Sequence, residues 1–582
     1  MTAWWDRYPG EWQREIVALD ALGYAWSYDQ AAMAAGQLVV RVEILQGEST
    51  LGINAVYPDT FPYFVPMVTS DNLLFDRHQH PVGKNLCLLA REGEDWRPGH
   101  DTLATLLSEQ LPLILSVNHE HAVSETVACA EDHVGEPLSS FLPYSPECAL
   151  IVPDETPAQE VRAGRLSVLA RPVPPQFSGR AFLNGVIETI TDLQSKPLLR
   201  FGTKVPVFSR RVTGFWLRLD QRPKLSDPDN APNEFFRLIQ SAVPMFARTI
   251  QAARRGEVFA AGFVYPDEVS WRSNADDWVF LSIRVEREAK RARDAMFNLE
   301  LVRADWGGQK AWLSRAPFLM PLRKKSALVV GVGSLGSPVS MHLARAGVGR
   351  LCLVDSDNLQ IGNTVRWALG WQYAGLQKIT ALVSHIAHEY PYTEVKGFNC
   401  RIGGARTPGS VGSSEYDALR SLCVEADVII DATASHRVSH FLADLAQELH
   451  KPYVWLTTTH GAAGGIVGRI RPHKTAGCWH CFLRGLDDGT IRLPADAGTE
   501  EIQPGGCAQP TFIGAGIDSD TVALLAGRLA VATLTSEAEN SYPDFAWDVA
   551  VTDLRRDGFS LAPQWDTYTL AGRSDCPACT VV

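Results

Sequence analysis

The chain has 582 residues, of which 46% are hydrophobic and 21% are charged, and its formal net charge is −12. The composition is typical of globular proteins, the length is too great for one core, and the negative charge argues against broad non-specific nucleic-acid binding. No apolar run is long enough to span a bilayer, and the N-terminus has no signal-peptide pattern, so we expect a cytoplasmic protein. There the eleven cysteines are expected to be free, catalytic or metal-bound.

The first third of the chain begins with a helix-like pattern over residues 1–22, which Pro9-Gly10 breaks. Two β-like runs follow at Leu38–Leu45 and Leu51–Tyr57. Three prolines in residues 57–68 then impose an extended path, because proline cannot donate a hydrogen bond to a central strand. The leucine-rich stretch 102–117 is predicted to be a helix, kinked at its single proline.

Cys87 is the residue of chemical interest in this region. It stands between two leucines, seven residues after His80, and taken alone it is better explained as a small buried hydrophobe. The surrounding motifs occur in a fixed order, namely Tyr57-Pro58, Pro62, Pro66, His80-Pro81, Cys87-Leu88 and Trp96-x-Pro98. With them, residues 1–125 resemble the ubiquitin-conjugating enzyme fold. The resemblance implies that Cys87 carries a thioester and that the loop of His80 belongs to its site.

One position departs from that family. The family usually has an asparagine directly after His-Pro, where its side chain supports the oxyanion of the transfer step, and this chain has Val82. Asn85 is the candidate substitute, since loss of such a donor costs about 3–4 kcal/mol of transition-state stabilisation. A rival interpretation takes His78-x-His80-Pro81 as the metal motif of JAMM-type deubiquitinases, but the serine and aspartate that this motif needs downstream are missing at the required spacing.

The middle of the chain carries no recognisable catalytic constellation. Residues 140–175 are rich in proline, which marks a boundary or a semi-rigid linker. Residues 176–318 mix β-like runs with a helix-like stretch, Asn233–Ala253, that Pro244 interrupts. We therefore predict a mixed α/β connector over 146–319, between an α+β domain over 1–145 and a third domain over 320–582.

Residues 325–357 predict one strand-helix-strand unit. A short apolar run leads into GVGSLG, in which Gly331, Gly333 and Gly336 have the GxGxxG spacing. Such glycines let the backbone approach a phosphate closely, and the helix that follows offers free N–H groups at its N-terminus. Asp355 ends the second apolar run, where this unit places a ribose-binding carboxylate. The motif predicts a nucleotide site and leaves NAD and ATP open.

Charged and polar residues downstream favour ATP. Asp357, Asn363, Arg366 and Lys378 follow the unit, and Asp431 ends another apolar strand pattern. The two cations suit a triphosphate, and Asp431 is placed to hold Mg²⁺ on it, whereas a dehydrogenase has no need of these groups. Each residue alone is equally explained as a surface or helix-capping side chain. The repeated alternation of strands and helices predicts a doubly wound parallel sheet that binds ligands at the carboxyl ends of its strands.

Five cysteines of the last third fall into two kinds. Cys478-x-x-Cys481 and Cys576-x-x-Cys579 form two pairs, which predict a structural Zn²⁺ site with all four positions filled. Cys507 lies in a stretch rich in glycine and proline, after a polar, acidic segment. A thiol on such a loop suits nucleophilic attack on an activated acyl group.

Over residues 320–582 these motifs follow the order of the ubiquitin-activating enzyme and ThiF/MoeB adenylation family. The resemblance implies ATP, Mg²⁺ and adenylation of a protein's C-terminal glycine, and it makes Cys507 the thioester cysteine of activation. It also implies pairing of two chains through this domain and an upstream arginine that reaches the ATP, for which Arg315 is the candidate. Nucleotide and magnesium roles pass to Gly331, Gly333, Gly336, Asp355, Asp357, Asn363, Arg366, Lys378 and Asp431. Trp367 departs from the family, which commonly has glutamine or histidine there.

Together the two regions resemble the fused ubiquitin-transferase-like proteins of bacterial CBASS anti-phage operons. The resemblance implies a relay in which a partner's C-terminus is adenylated, passes to Cys507, then to Cys87, and finally to a target amine. In that family the partner is a cGAS-like nucleotidyltransferase. Three alternatives stay open: a small ubiquitin-like protein as the partner, a sulfur-carrier activator that does not need Cys87, and a non-catalytic scaffold. Neither a nucleic-acid partner nor a membrane partner is expected.

Overall fold

The computed structural model describes residues 3–46, 49–75, 77–81, 83–89, 91–119, 134–202, 205–225, 230–287, 296–403, 414–498, 501–502, 511–576 and 578–579. The chain divides into two compact units, one formed by residues 1–202 and 207–307 and the other by residues 203–206 and 308–582. The first unit contains two sheets with separate cores, and the division predicted near residue 145 stays a prediction. Among the described helices, none combines the length and the apolar character needed to cross a membrane.

The N-terminal part of the first unit is a set of helices around an antiparallel sheet of four strands in chain order. Its helices are α1 Trp4–Arg7, α2 Pro9–Leu22, α3 Gln30–Ala34, α4 Glu92–Asp95, α5 Leu103–Thr105 and α6 Leu111–His119. Its strands are β1 Ala25–Tyr28, β2 Val39–Gln46, β3 Ser49–Val56 and β4 Met67–Ser70. The predicted helix and both predicted β-runs are confirmed.

The kink predicted in the leucine-rich helix takes a specific form. A π-helical turn, Leu106–Gln110, joins α5 to α6, and Pro112 is the second residue of α6. Proline lacks an N–H group and its ring displaces the carbonyl four residues earlier, so a widened turn just before it relieves the conflict. Leu103, Leu106, Leu107 and Leu111 pack into the core of this part, whereas Leu113 is exposed.

The rest of the first unit is a closed barrel. Its strands are β5 Ala149–Val152, β6 Ala163–Ala170, β7 Asn184–Asp192, β8 Pro197–Arg200, β9 Arg210–Arg218, β10 Val258–Ser270, β11 Ser273–Arg287 and β12 Met296–Trp306. The order β5-β12-β11-β10-β9-β6-β7 closes on itself because β5 also pairs with β7, and β8 extends β7. Of two short 3₁₀ helices, Leu138–Phe141 precedes β5 and Pro175–Phe177 lies between β6 and β7.

Two helices cover one side of the barrel. They are α7 Ala231–Ala242 and α8 Pro244–Gln251, and the predicted break at Pro244 is confirmed. Side chains along the strands alternate between two cores: Phe215 packs with the helices, whereas its neighbour Trp216 packs in the other core. The period of two residues is what a strand between two apolar layers requires.

The second unit is a three-layer α/β domain. Its main sheet contains β13 Ser326–Val330, β14 Arg350–Asp355, β15 Glu394–Asn399, β16 Val428–Asp431, β17 Tyr453–Thr458, β18 Gly464–Ile470, β21 Val549–Arg556 and β22 Phe559–Tyr568, and a separate pair contains β19 Glu501–Ile502 and β20 Thr511–Phe512. Its α-helices are α9 Gln309–Leu313, α10 Gly336–Arg345, α11 Lys378–Glu389, α12 Glu415–Glu425, α13 His436–Glu448, α14 Trp479–Asp487 and α15 Gly516–Thr535. Its 3₁₀ helices are Pro317–Lys324, Ile361–Val365, Trp371–Tyr373 and His460–Ala462.

The strand order of the main sheet is β15-β14-β13-β16-β17-β18-β21-β22. The first five strands are parallel, which confirms the doubly wound prediction for that part. The last three pair antiparallel, so a wholly parallel sheet is wrong for this edge. The short connections from β17 to β18 and from β21 to β22 explain the difference, because a parallel neighbour needs a long crossover. Successive strands are added on one side of β13 as far as β15 and on its other side from β16, and such sheets bind ligands at this switch point between β13 and β16.

Apolar residues alternate between the two faces of this sheet. In β13, Ala327 and Val329 pack with α10, α11 and α15, whereas Leu328 and Val330 pack with α12, α13 and α14. Burial on both faces explains why these strands are continuous apolar runs in the sequence.

Candidate functional site

The loop between β13 and α10 lies at the switch point, and its three glycines have three different structural roles. Gly331 has φ +79°, and a Cβ added there would lie 2.9 Å from Thr433 Cα. A Cβ on Gly336 would lie 1.8 Å from the Gly331 carbonyl oxygen, so only glycine fits where the helix packs on the turn. A Cβ on Gly333 would meet nothing within 4 Å. The loop is therefore closed underneath and open above, which is the form of a phosphate cradle.

The peptide at Val332, in the middle of this loop, is held from both sides. Its N–H donates to Asp355 Oδ2 at 2.8 Å, and its carbonyl accepts from Trp367 Nε1 at 2.7 Å. Ser337 donates to the Gly333 carbonyl at 2.8 Å from the first turn of α10. Asp355 thus supports the loop, and Trp367, which departs from the family pattern, is a buried clamp on it.

Two cationic side chains lie at the same carboxyl edge. Lys378 is the first residue of α11, and its Nζ is 2.8 Å from Asp357 Oδ2 although the lysine side chain is only 11% exposed. A buried cation at the positive end of a helix is electrostatically costly, and an anionic ligand would relieve this cost. Arg366 ends the 3₁₀ helix Ile361–Val365 and is half-buried, and burial lowers the pKa of its guanidinium. Asn363 accepts a hydrogen bond from the Gln360 N–H at 3.0 Å inside that helix.

Asp431 lies at the switch point, but both of its carboxylate oxygens accept hydrogen bonds from protein groups. Its Oδ1 accepts from the Thr433 N–H at 3.0 Å and from the Thr433 hydroxyl at 2.7 Å, and its Oδ2 accepts from the Tyr453 hydroxyl at 2.9 Å. The residue is 1% exposed, and burial together with the Asp431 charge raises the pKa of Tyr453. These bonds hold Thr433 against Gly331, so Asp431 shapes the loop. The magnesium role predicted for Asp431 stays a prediction.

Cys507 lies outside the described residues, but both flanks of its segment are described. Glu501 pairs with Phe512 and Ile502 pairs with Thr511, which brings the two ends of the segment together. Four residues further on, α15 begins at Gly516, where an added Cβ would lie 2.8 Å from the Val365 carbonyl oxygen. The described residues after this segment therefore lead to the backbone beside Arg366. Arg315 is exposed between α9 and the 3₁₀ helix Pro317–Lys324, and its predicted contact with ATP stays a prediction.

The four paired cysteines meet in one cluster. Their sulfur atoms all lie within 4.8 Å of one another, and individual Sγ–Sγ distances are 3.4, 3.5, 3.5 and 3.9 Å. Thiolates on a tetrahedral zinc ion are about 3.8 Å apart, given Zn–S bonds of about 2.3 Å. Cys478, Cys481, Cys576 and Cys579 thus fit Zn²⁺, and the cluster would tie α14 to the end of the described chain.

Other cysteines of this unit are packing residues. Cys352 is 7% exposed in β14, and Cys423 is fully buried in α12, where burial raises the pKa of its thiol to about 12. Cys400 packs against the same core. A buried thiol with so high a pKa is a poor nucleophile.

Cys87 lies on a hairpin-like loop next to β4. Its N–H donates to the His78 carbonyl at 2.8 Å, and the Leu86 N–H donates to the Val68 carbonyl at 2.7 Å. The two neighbouring leucines are buried, whereas Cys87 is half-buried. A fixed backbone with a partly accessible thiol is compatible with a nucleophile.

The two residues predicted to assist Cys87 lie on the same loop. His80 Nδ1 accepts from the Gly83 N–H at 2.8 Å, so the neutral ring carries its proton on Nε2. Burial, with a smaller effect of Lys84, lowers the pKa of His80. The Asn85 carbonyl accepts from the His80 N–H at 2.8 Å, and Asn85 Oδ1 faces Gly83. His80 therefore organises the loop, and the catalytic roles predicted for both residues stay predictions.

Residues of the barrel region hold this loop, which the sequence did not reveal. Both Glu136 carboxylate oxygens accept from the His78 N–H, at 3.0 and 3.1 Å, and Glu136 Oε1 lies 3.4 Å from His78 Nδ1. Arg77 pairs with Glu268 of β10, and both side chains are largely buried. The His80 ring packs edge-on against Phe141 with the ring centroids 5.0 Å apart. No local pattern links positions this far apart in the chain.

The order of the five parallel strands, 3-2-1-4-5 in their own chain order, and the glycine cradle at the switch point define a nucleotide-binding α/β domain. Residues 312–564 match the model of the ThiF family. The second unit is a ThiF/MoeB-like adenylation domain.

Three relatives show how widely the similarity extends. The uncharacterized protein y4oA of Sinorhizobium fredii (strain NBRC 101917 / NGR234) is 28% identical over 597 residues, which cover 98% of this chain and 97% of the relative. The ATP-dependent ubiquitin transferase-like protein Cap2 of Enterobacter hormaechei subsp. hoffmannii (strain UCI 50) is 32% identical over 143 residues, 25% of this chain and 22% of Cap2. The adenylyltransferase and sulfurtransferase MOCS3 of Anopheles gambiae is 30% identical over 167 residues, 28% of this chain and 34% of MOCS3.

Proposed function

We propose that this protein is an ATP-dependent adenylating and thioester-transfer enzyme that conjugates a partner protein to target amines. The observation that carries the proposal is the glycine cradle, which is closed by packing at Gly331 and Gly336 and open above Gly333. Buried Lys378 at the same edge adds the charge that a triphosphate needs. The match to the ThiF family supports adenylation, and the similarity to Cap2 supports ubiquitin-transferase-like chemistry.

The first step is adenylation of a carboxylate. An oxygen of the partner's C-terminal carboxylate attacks the α-phosphorus of ATP, a new C–O–P linkage forms, and pyrophosphate leaves. The backbone N–H groups at the start of α10 and the charges of Lys378 and Arg366 stabilise the phosphate oxygens. Magnesium would neutralise triphosphate charge, but Asp431 is buried and hydrogen-bonded as described, so no step is assigned to it.

The second and third steps move the acyl group between thiols. The Cys507 thiolate attacks the acyl carbonyl carbon and AMP leaves with the electron pair of the broken C–O bond. The Cys87 thiolate then attacks the same carbon and the Cys507 thiolate leaves. In the last step a lysine or other amine attacks, an amide forms, the amine loses a proton, and the Cys87 thiolate is released.

The partner is expected to be a protein with a C-terminal glycine. A cGAS-like nucleotidyltransferase of an anti-phage operon is our first choice, and a small ubiquitin-like protein is the second. A different reaction, sulfur-carrier activation, is favoured by the similarity to MOCS3 and would use the adenylation domain without Cys87.

The test is a non-reducing gel with intact-mass analysis of the protein co-expressed with its genomic neighbours. Wild type, Cys507→Ala and Cys87→Ala are compared with and without a thiol reductant. The relay predicts a reductant-sensitive adduct that is lost in Cys507→Ala and confined to Cys507 in Cys87→Ala. An unchanged product in Cys87→Ala would indicate sulfur-carrier activation, and the absence of an adduct in every sample with ATP would refute thioester transfer.

A further inference from the structure

A second group of metal-ligating side chains lies next to the cysteine cluster. His436, His440 and Asp444 follow one another at intervals of four residues along α13. Residues four apart lie on the same face of a helix, one turn above the other. Two histidines at this spacing are a recurrent zinc-binding arrangement because one ion can reach both rings.

A third histidine comes from α14. His480 lies between Cys478 and Cys481 of the first cysteine pair, and its ring centroid is 5.8 Å from that of His440. The rings of His436 and His440 are 5.6 Å apart. Two imidazoles on one tetrahedral zinc ion have centroids about 5 Å apart, given Zn–N bonds of about 2.0–2.1 Å. The His440 ring is therefore close to the separation that a shared ion requires from each of the other two rings.

Asp444 supplies the support that metal-binding histidines usually have. Its Oδ1 lies 3.3 Å from His480 Nε2. A carboxylate on one ring nitrogen fixes the tautomer and leaves the other nitrogen, here Nδ1, as the ligand atom. The His480 side chain is 31% exposed, so an ion can enter from solvent.

We propose that His436, His440 and His480 form a second site for a divalent transition metal of the zinc type, in which Asp444 orients the His480 ring. Imidazole ligands suit zinc, copper and nickel, and three such ligands leave a position for water or a further donor. The proposal does not depend on the adenylation and transfer chemistry.

The histidine site is less preorganised than the cysteine cluster. Among the described residues, only the four cysteines hold their ligand atoms within 4.8 Å of one another. The three histidines must close around the ion by rotation of their side chains, and His436 is exposed at the start of α13. We therefore expect weaker, exchangeable binding beside a tight structural ion.

The test is metal stoichiometry of the full-length protein without a histidine tag. Equilibrium dialysis against Co²⁺ measures ions per chain, and the near-ultraviolet charge-transfer band of thiolate-bound cobalt reports the cysteine cluster separately. Wild type is expected to bind two ions per chain. His440→Ala should bind one and keep the thiolate band, and Asp444→Asn should bind the second ion roughly 10- to 100-fold more weakly.

The matched control is His388→Ala, which removes an exposed histidine from α11 and should leave two ions. If His440→Ala also loses the thiolate band, the substitution disturbs the cysteine cluster. His436→Ala, at an exposed position, is then the deciding variant, and it should bind one ion and keep the thiolate band. One ion per wild-type chain would overturn the proposal. So would a second ion that binds to the deciding variant as tightly as to wild type.

Discussion

Glu15 is a buried acid in the middle of α2. It is 0% exposed, and its Oε2 accepts from the Tyr57 hydroxyl at 2.7 Å and from the Leu103 N–H at 3.0 Å. Burial outweighs these hydrogen bonds and raises the pKa of Glu15 from 4.5 to about 7. The folded protein thus binds this proton more tightly than the unfolded chain. The contribution of Glu15 to stability is greatest below pH 4.5 and is lost as the pH rises through 7.

The Glu15→Gln substitution should remove this pH dependence, because glutamine imitates the protonated acid. In wild type, the free energy of local unfolding should fall by about 3 kcal/mol between pH 4.5 and 7 as Glu15 loses its proton. Hydrogen exchange of peptides from α2 and α5, corrected for intrinsic rates, measures it. Glu11→Gln on the same helix is the control and should retain the wild-type profile. If Glu15→Gln kept the wild-type pH profile, the pH dependence could not be assigned to Glu15.

The glycines of the cradle should respond in opposite ways to alanine. Gly336→Ala drives a methyl group into the Gly331 carbonyl and should destabilise the second unit by about 2–3 kcal/mol or more. Gly333→Ala has space for its methyl group and should leave the melting temperature unchanged, yet it should weaken ATP binding roughly tenfold or more. Gly370→Ala, equally open, is the control for calorimetric titration with ATP. Wild-type ATP affinity in Gly333→Ala would mean that phosphates do not lie over the loop.

For individual residues, the sequence could predict residue types at fixed spacings but not the groups that surround them in the fold. The three glycines and Asp355 follow a local motif, so their positions were predictable. The hydrogen bond that Asp431 accepts from the Tyr453 hydroxyl was not predictable, because Tyr453 lies on the neighbouring strand β17. The histidine group lay between these cases, since the four-residue spacing of His436 and His440 is visible in the sequence.

Among the elements, the parallel strands were predictable because each is a continuous apolar run followed by a helix. The antiparallel edge and the closure of the barrel were not. Closure rests on β5, residues Ala149–Val152, pairing with both β12 and β7, which are distant in the chain. Periodicity reports which face of a strand is buried but not which strand lies beside it.

The loop of Cys87 is likewise held by a residue distant in the chain, which sequence patterns do not identify. Glu136 binds the His78 N–H through both oxygens, and His78 has φ +59°, a left-handed conformation that needs support in a residue with a side chain. The His78 carbonyl in turn accepts from the Cys87 N–H. Glu136 therefore positions the backbone of Cys87, the proposed nucleophile, through one intervening residue.

Glu136→Ala should slow acyl transfer from Cys507 to Cys87 roughly 10- to 100-fold, because a small displacement of a reacting group is costly in rate. It should leave thioester formation at Cys507 unchanged. Glu160→Ala, at an exposed position of the same region, is the control. Single-turnover gels that follow each thioester measure both steps. If Glu160→Ala slows acyl transfer as much as Glu136→Ala, or if Glu136→Ala also slows thioester formation at Cys507, then Glu136 does not act through this loop.

In the whole molecule, the proposed donor and acceptor thiols belong to different compact units of one chain. A covalent connection raises the effective concentration of one site at the other to the millimolar range if the geometry allows both to meet. Transfer from Cys507 to Cys87 within a chain should therefore have a rate that does not depend on protein concentration.

Mixing Cys507→Ala with Cys87→Ala chains tests this directly, because transfer must then pass from one chain to another. At micromolar protein we expect a rate that rises with concentration and is roughly 100-fold or more below that of wild type, since millimolar effective concentration is replaced by micromolar real concentration. A mixture that matches the wild-type rate at every dilution would instead place the two thiols on different chains of a stable dimer. The relay would then depend on the pairing that the adenylation domain is expected to make, and connection within one chain would not determine its rate.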